Sequence, residues 1–222
     1  MGTIAIIHTT SATLKPLNDM IGQACPGAEI INFVDDSILP MLLKDSSCMP
    51  FVYEKLLAYA LFAQKQGVDL ILSACSSVGE FQKFAAGKLQ VPLVRIDDPV
   101  SDIAVTQGRK IAVLATLKTT LEPSCNLLKE KSPDCQVIPV LVEGAYEMLK
   151  AGNKDRHDSM IAQTVKQYMD ECDVVYLAQA SMANALQGLS DGEKERVLAS
   201  TEPAVRHVAA MYEAIQKAKS AG

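Results

Sequence analysis

The sequence contains Gly67-Val-Asp-Leu-Ile-Leu-Ser-Ala-Cys-Ser-Ser-Val78, an apolar run that ends in a turn of small polar residues. A second segment has the same outline and reads Glu171-Cys-Asp-Val-Val-Tyr-Leu-Ala-Gln-Ala-Ser-Met182, with residue 171 placed on residue 67. Cys75 of the first segment then corresponds to Gln179 of the second. Short apolar runs bounded by turns of this kind predict buried strands.

The similarity extends to two further blocks in the same order. Lys110-Ile-Ala-Val-Leu-Ala-Thr-Leu-Lys-Thr-Thr-Leu121 can be laid on Thr3-Ile-Ala-Ile-Ile-His-Thr-Thr-Ser-Ala-Thr-Leu14. Val142-Glu-Gly likewise falls on Val34-Asp-Asp. The three offsets agree closely and predict an internal duplication. The alternative is that all strands of α/β proteins look alike.

Amphipathic segments separate the apolar runs, as in the segment over 50–66. Its apolar residues recur with the period of a helix, and Gly67 ends it. This alternation predicts an α/β fold of two similar lobes, each a parallel sheet flanked by helices, related by a pseudo-twofold axis. A linker is expected near Asp97-Asp98-Pro99.

The predicted lobe boundaries follow from the duplication. The first lobe, which carries Cys75, is expected to span residues 1–98 plus 204–222, since a helix over 201–219 closes the chain by packing back on it. The second lobe, which carries Gln179, is expected to span 99–203.

Composition excludes several classes of protein. The net charge is −5, tryptophan is absent and no long basic run occurs, so no nucleic-acid partner is expected. No apolar stretch is long enough to span a membrane, and the amino terminus does not resemble a signal peptide. These features predict a cytoplasmic protein with reduced thiols. A homodimer is the default expectation.

The cysteine pattern does not predict a metal site. Six cysteines occur, and no pair of them has C-x-x-C spacing or forms a Cys/His cluster with zinc-ligand spacing. No Walker loop, G-x-G-x-x-G or G-x-S-x-G motif is present either, which removes the main support for a nucleotide-binding protein or a serine hydrolase.

Cys75 is the first candidate for chemistry. It follows an apolar strand and precedes a helix, where free backbone N–H groups are expected to lower the pKa of a thiol and to bind an anion. Ser76 and Ser77 add hydroxyl donors. The alternative is a buried structural cysteine.

Other polar residues also follow predicted strands. Thr116 and Thr119 lie in the turn after one strand and can cap a helix or bind a carboxylate. Gln179 ends another strand and needs a partner if it is buried; it is either a site residue or a satisfied loop amide. His8 and Thr9 follow the first strand. Because ligands of open α/β sheets bind beyond the carboxyl ends of strands, these residues are expected to line one cleft.

His157 beside Asp158 has two interpretations. The pair can be an oriented base, or it can mark the start of a helix that is capped by Asp155. The second interpretation is favoured.

Together these motifs resemble the aspartate/glutamate/hydantoin racemase superfamily, which also contains arylmalonate decarboxylase and maleate isomerase. The resemblance spans nearly the whole chain. It rests on the duplicated lobes, on Ala74-Cys-Ser-Ser77, on Ala115-Thr-Leu-Lys-Thr119 and on Leu177-Ala-Gln-Ala-Ser-Met182. It implies an enzyme without metal or cofactor that acts on a small carboxylate at the carbon beside the carboxylate.

The family's racemases use two cysteines on opposite faces of the substrate carbon. By resemblance, Cys75 matches the first cysteine, while Ser76, Ser77, Thr116 and Thr119 match residues that hold the substrate. The second cysteine is missing, because Gln179 stands at its position.

The nearest hydroxyl to that position, Ser181, is out of register. A carboxamide is not a general base near neutral pH, so Cys75 is expected to act alone, as acid/base or nucleophile, in isomerase or decarboxylase-type lyase chemistry. Two alternatives remain open: a racemase with a second base that is not cysteine, and a two-lobed carboxylate-binding protein without catalysis.

Overall fold

The structure is a computed structural model that describes residues 2–221. Over residues 2–221, eight strands are arranged in two sheets of four. The first set is β1 Thr3–His8, β2 Glu29–Val34, β3 Leu70–Ser73 and β4 Leu93–Arg95. The second set is β5 Lys110–Ala115, β6 Gln136–Leu141, β7 Val174–Leu177 and β8 Val197–Ala199.

In the described part of the chain, ten α-helices connect the strands or follow the last one. The first five are α1 Leu14–Ala24, α2 Ile38–Lys44, α3 Met49–Lys65, α4 Phe81–Ala85 and α5 Asp98–Gln107. The other five are α6 Lys118–Lys131, α7 Ala145–Lys150, α8 Lys154–Met169, α9 Asp191–Lys194 and α10 Thr201–Ala221.

Both sheets have the same topology. The strand orders are β2-β1-β3-β4 and β6-β5-β7-β8, and every pairing is parallel. The first sheet therefore maps onto the second strand for strand. The predicted α/β fold of two similar lobes, each with a parallel sheet flanked by helices, is confirmed.

The chain divides into two compact units, each containing one sheet. The first unit comprises Met1–Ile96 and Glu202–Gly222, and the second comprises Asp97–Thr201. Consequently the helix that follows β4, α5, belongs to the second unit. The helix that follows β8, α10, belongs to the first unit from Glu202 onward.

Apolar residues bury the third strand of each sheet. Strand β3 is buried along its whole length, as is β7, which is typical of parallel strands covered on both faces. In the first unit, α3 packs on the sheet through Val52, Leu56 and Ala60, which are fully buried. In the second unit α8 covers one face and α5 contributes to the cluster on the other.

Equivalent aspartates fasten the strands at the start of each sheet. Asp69 accepts a hydrogen bond from the Thr3 backbone N–H at 3.1 Å, and it also pairs with Lys219 of α10. Asp173 accepts from the backbone N–H groups of Arg109 and Lys110 at 2.9 and 2.8 Å. The duplication therefore extends to a specific side-chain contact.

The expected linker near residues 97–99 lies at the boundary between the two units, and the chain there is helical from Asp98 onward. Helix α5 begins at Asp98, and Pro99 lies in its first turn, where a missing backbone N–H costs nothing. Within residues 2–221, no helix combines the length and apolar character needed to cross a membrane.

Candidate active site

Cys75 lies two residues beyond the end of β3, at the carboxyl edge of the first sheet. Its backbone is extended, with φ −143° and ψ 116°, and a short 3-10 turn over Ser76–Val78 follows at once. The side chain is half-buried, whereas Ser76 and Ser77 are buried. The turn thus joins the thiol to its predicted serine companions in one local structure.

Opposing effects act on the Cys75 thiol. Burial raises the pKa of the thiol, while the Thr9 hydroxyl and the backbone N–H groups of Ser77 and Val78 lower it. Burial is the largest effect, so the pKa of Cys75 lies above its ordinary value. The expectation of a lowered pKa is therefore wrong for the free chain, although the predicted N–H donors are in place.

Gln179 has the same local geometry in the second unit. It lies two residues beyond the end of β7, with φ −132° and ψ 137°, and a 3-10 turn over Ala180–Gly188 follows. Its amide oxygen accepts a hydrogen bond from the Thr116 backbone N–H at 2.5 Å and another from the Thr116 hydroxyl at 3.0 Å.

These contacts decide which way the amide of Gln179 points. A backbone N–H can only donate, so the atom that faces Thr116 must be the oxygen rather than the nitrogen. The NH₂ group, with its two N–H donors, therefore points away from Thr116. Gln179 presents hydrogen-bond donors where the first unit presents a thiol.

The pairs in the two units correspond to each other. Thr9 is the first residue after β1 and lies close enough to Cys75 to lower the pKa of the thiol, although its buried hydroxyl has no hydrogen-bond partner among the described residues. Thr116 is the first residue after β5, and it bonds Gln179. The residue after the first strand of each unit is therefore a threonine near the residue of interest, and a hydrogen bond joins the two only in the second unit.

The chain matches the family described as Asp/Glu/Hydantoin racemase over residues 4–208. It belongs to this racemase family. None of the proteins with curated descriptions matches it.

Solved structures similar to this racemase-family protein include three racemases. Glutamate racemase from Francisella tularensis, in complex with D-glutamate, has 15% identity and a TM-score of 0.74, covering 98% of this chain and 82% of that one. Picrophilus torridus aspartate racemase has 12% identity and a TM-score of 0.73, covering 97% and 95%. Allantoin racemase from Klebsiella pneumoniae has 20% identity and a TM-score of 0.65, covering 96% and 88%. At these identities the likeness concerns the fold.

The remaining predicted site residues of the racemase-family chain are dispersed over its turns. Thr119 is half-buried in the first turn of α6, and Ser181 is half-buried in the 3-10 turn after Gln179. The roles of both residues in binding a substrate stay predictions.

His8 is fully buried and both of its ring nitrogens have partners. Nδ1 lies 2.8 Å from the Thr13 hydroxyl, and Nε2 lies 3.0 Å from the Asn32 side-chain oxygen. Burial lowers the pKa of His8, which outweighs the opposing hydrogen bond to Asn32. The ring is therefore neutral at pH 7, and its role in binding a substrate stays a prediction.

His157 lies in the first turn of α8 and is fully buried, with Nδ1 2.7 Å from a carboxylate oxygen of Asp158. The favoured interpretation as the start of a helix agrees with this position. The predicted cap is wrong, because the Asn153 side chain, and not Asp155, accepts the backbone N–H of Arg156. Asn153 is the better cap because it directly precedes the helix.

Sequence reasoning missed Arg95, the last residue of β4. Its side chain is only 2% exposed, and its register partner on β3 is Ser73, two residues before Cys75. The available signal was a charged residue inside the apolar run Val91-Pro-Leu-Val-Arg-Ile96, where burial demands a reason.

Proposed function

We propose that this chain is a cofactor-independent enzyme that acts on a small carboxylate at the carbon beside the carboxylate group. Cys75 serves as its single acid/base or nucleophilic thiol. Gln179, at the position of the second cysteine, serves as a hydrogen-bond donor to the substrate. The reaction is then an isomerisation or a decarboxylation rather than a racemisation with two thiols.

The orientation of the Gln179 amide carries this proposal. Its oxygen is held by Thr116, so the group available to a ligand is the NH₂ donor pair. Such donors stabilise a developing oxyanion, and they neither remove nor supply a proton at carbon. In this proposal Cys75 is the only group that transfers a proton to or from carbon, and the role of Gln179 is electrostatic.

The raised pKa of Cys75 favours proton donation over nucleophilic attack. In a decarboxylation, the bond from the substrate carbon to one carboxylate breaks, carbon dioxide leaves, and the electron pair remains as an enediolate. The Cys75 S–H proton then passes to that carbon, and water reprotonates the thiolate. Addition of a thiolate to a double bond would first require deprotonation of this half-buried group, because the thiolate is the nucleophile.

Proton NMR in D₂O tests the proposal with a defined panel: both enantiomers of aspartate and glutamate, hydantoin, maleate and phenylmalonate. We expect turnover of one class of compound, with a single deuterium delivered to one face. Cys75→Ala should lower the rate by about 10²–10⁴-fold, the usual contribution of general acid–base catalysis. Cys48→Ala is the matched control, because Cys48 is the other half-buried thiol of the first unit.

The alternatives give different results. Undiminished turnover by Cys75→Ala would exclude the thiol mechanism. Entry of deuterium into both enantiomers of an amino acid would indicate a racemase with a second base. Saturable binding without turnover of any compound would indicate a carboxylate-binding protein.

A further inference from the structure

A buried arginine lies next to the candidate catalytic turn of the first unit. Arg95 ends β4, and its backbone pairs in register with Ser73 at the end of β3. Ile96 then donates its backbone N–H to the Ser73 carbonyl at 3.1 Å. The start of the segment that carries Cys75 is thus bonded to the strand that carries Arg95.

The side chain of Arg95 packs against the other end of the same turn. A Cβ atom placed on Gly79 would collide with Cζ, Nε and Nη2 of Arg95, so the guanidinium group lies directly against the glycine. Gly79 has φ −56°, which any residue adopts, so close approach and not backbone conformation requires a glycine here.

Gly79 closes the turn that faces the thiol. Its backbone N–H donates to the Ser76 carbonyl at 3.0 Å, and the Val78 N–H donates to the Cys75 carbonyl at 3.3 Å. The positions of the Ser77 and Val78 N–H groups relative to the Cys75 sulfur therefore depend on where Gly79 is held.

The charge of Arg95 acts on neighbouring groups as well. Burial raises the pKa of the Tyr53 phenol, the Glu80 charge raises it further, and the Arg95 charge lowers it. Tyr53 of α3 is therefore close enough to the guanidinium to interact with it. This arrangement places a fixed cation in the interior beside the turn.

We propose that Arg95 is a positioning residue for Cys75: its guanidinium, packed against Gly79, holds the turn whose backbone N–H groups face the thiol. This inference rests on the proposed function only for its relevance to catalysis. The reactivity of the thiol can be measured without any substrate.

Alkylation of Cys75 by iodoacetamide between pH 6 and 10, resolved by peptide mass spectrometry, tests the proposal in the full chain. For Arg95→Met we expect the midpoint of the Cys75 profile to rise by about one pH unit, equivalent to about tenfold slower labelling at a fixed lower pH. Arg95→Lys keeps the charge and should recover part of the shift. Gly79→Ala should shift the midpoint in the same direction by displacing the guanidinium.

Several controls distinguish a displaced Cys75 turn from a general loss of structure. Cys48 is an internal reference whose profile should not change, and far-UV circular dichroism reports whether each variant is folded. Arg206→Lys is the matched control, because Arg206 is exposed and pairs only at the surface with Glu202 at 3.1 Å. If Arg95→Met prevents folding, Arg95→Lys and Gly79→Ala still give the comparison.

A Cys75 profile that coincides with the wild-type profile in the folded Arg95 and Gly79 variants would overturn the proposal. That outcome differs from failure of the proposed function, in which Cys75→Ala retains turnover. A shifted alkylation profile in a chain whose turnover does not need Cys75 would leave the positioning role intact and remove the catalytic one.

Discussion

Gln179 and Cys75 occupy equivalent backbone positions and offer opposite chemistry. Both follow the third strand of a sheet by two residues, and both precede a 3-10 turn with an extended backbone. In each unit a threonine follows the first strand, and Thr116 bonds Gln179. The repeat therefore preserves the backbone of this turn, while the proposed function assigns proton transfer to one side chain and hydrogen-bond donation to the other.

Replacing Gln179 by glutamate tests the donor role directly. The carboxylate can still accept both hydrogen bonds from Thr116, but it has no N–H to donate and it repels a substrate carboxylate. We expect kcat/KM to fall by about 10²–10³-fold, the usual cost of removing one oxyanion donor. The measurement is steady-state turnover of the compound identified by NMR.

The control for that substitution is Gln163→Glu, an identical change at an exposed position of α8 in the same unit. It should leave kcat/KM unchanged. Equal activity of Gln179→Glu and the wild type would mean that the amide donors take no part in the reaction.

The position of the site residues could be predicted from the sequence, and their electrostatics could not. Strand ends can be read from apolar runs, so the placement of Cys75 and Gln179 after β3 and β7 follows from pattern alone. Burial depends on elements distant in sequence, and burial reverses the expected direction of the Cys75 pKa shift. Arg95 was missed for the same reason, since its contact with Gly79 bridges a strand and a turn.

At the scale of the elements, Asp35 fastens the turn after β2 to helix α3. Its carboxylate accepts hydrogen bonds from the Tyr59 hydroxyl at 2.8 Å and the Ser37 hydroxyl at 2.5 Å, and it lies 2.6 Å from Lys55 Nζ. Burial alone would raise the pKa of Asp35, but the hydrogen bonds from Lys55, Ser37 and Tyr59 lower it from 3.8 to about 2.

This lowered pKa predicts a contribution to acid resistance. The ionised carboxylate stabilises the folded chain fully above the unfolded-state pKa of 3.8, and the contribution is lost as pH falls towards about 2. Asp35→Asn should lower the midpoint of urea unfolding at pH 6. In this variant the midpoint should also fall less steeply than in the wild type as the pH is lowered from about 4 to 2. If the urea midpoint falls equally steeply with pH in the wild type and the variant over that range, ionised Asp35 does not stabilise the folded chain.

Helix boundaries at the unit junction show the limit of sequence reasoning about elements. Residues 97–99 carry two aspartates and a proline, which by composition indicates a linker. In the structure the same residues start α5, because proline and acidic residues also suit the first turn of a helix. Local composition does not distinguish these cases, whereas the apolar face that α5 buries through Val100 and Ala104 does.

At the scale of the whole molecule, the duplication could be recognised in the sequence because the separation between equivalent strands stays almost constant. Strands β5 and β6 lie 107 residues after β1 and β2, and β7 and β8 lie 104 after β3 and β4. The sequence also predicts that the last helix packs back on the first lobe, and α10 belongs to the first unit from Glu202 onward. The contacts that hold it there could not be predicted: Tyr212 contacts Gly2, and Lys219 pairs with Asp69.

The contacts of Asp69 have a consequence for how the chain can be re-ordered. Because this one carboxylate binds both Thr3 and Lys219, the start of β1 and the last turns of α10 lie beside each other. A circularly permuted gene that starts at Glu202, with a short glycine linker between the old ends, would encode each unit as one uninterrupted segment. We expect this permutant to be expressed in soluble form with a circular dichroism spectrum like that of the parent. An insoluble or unfolded product would show that the peptide bond between residues 201 and 202 is indispensable.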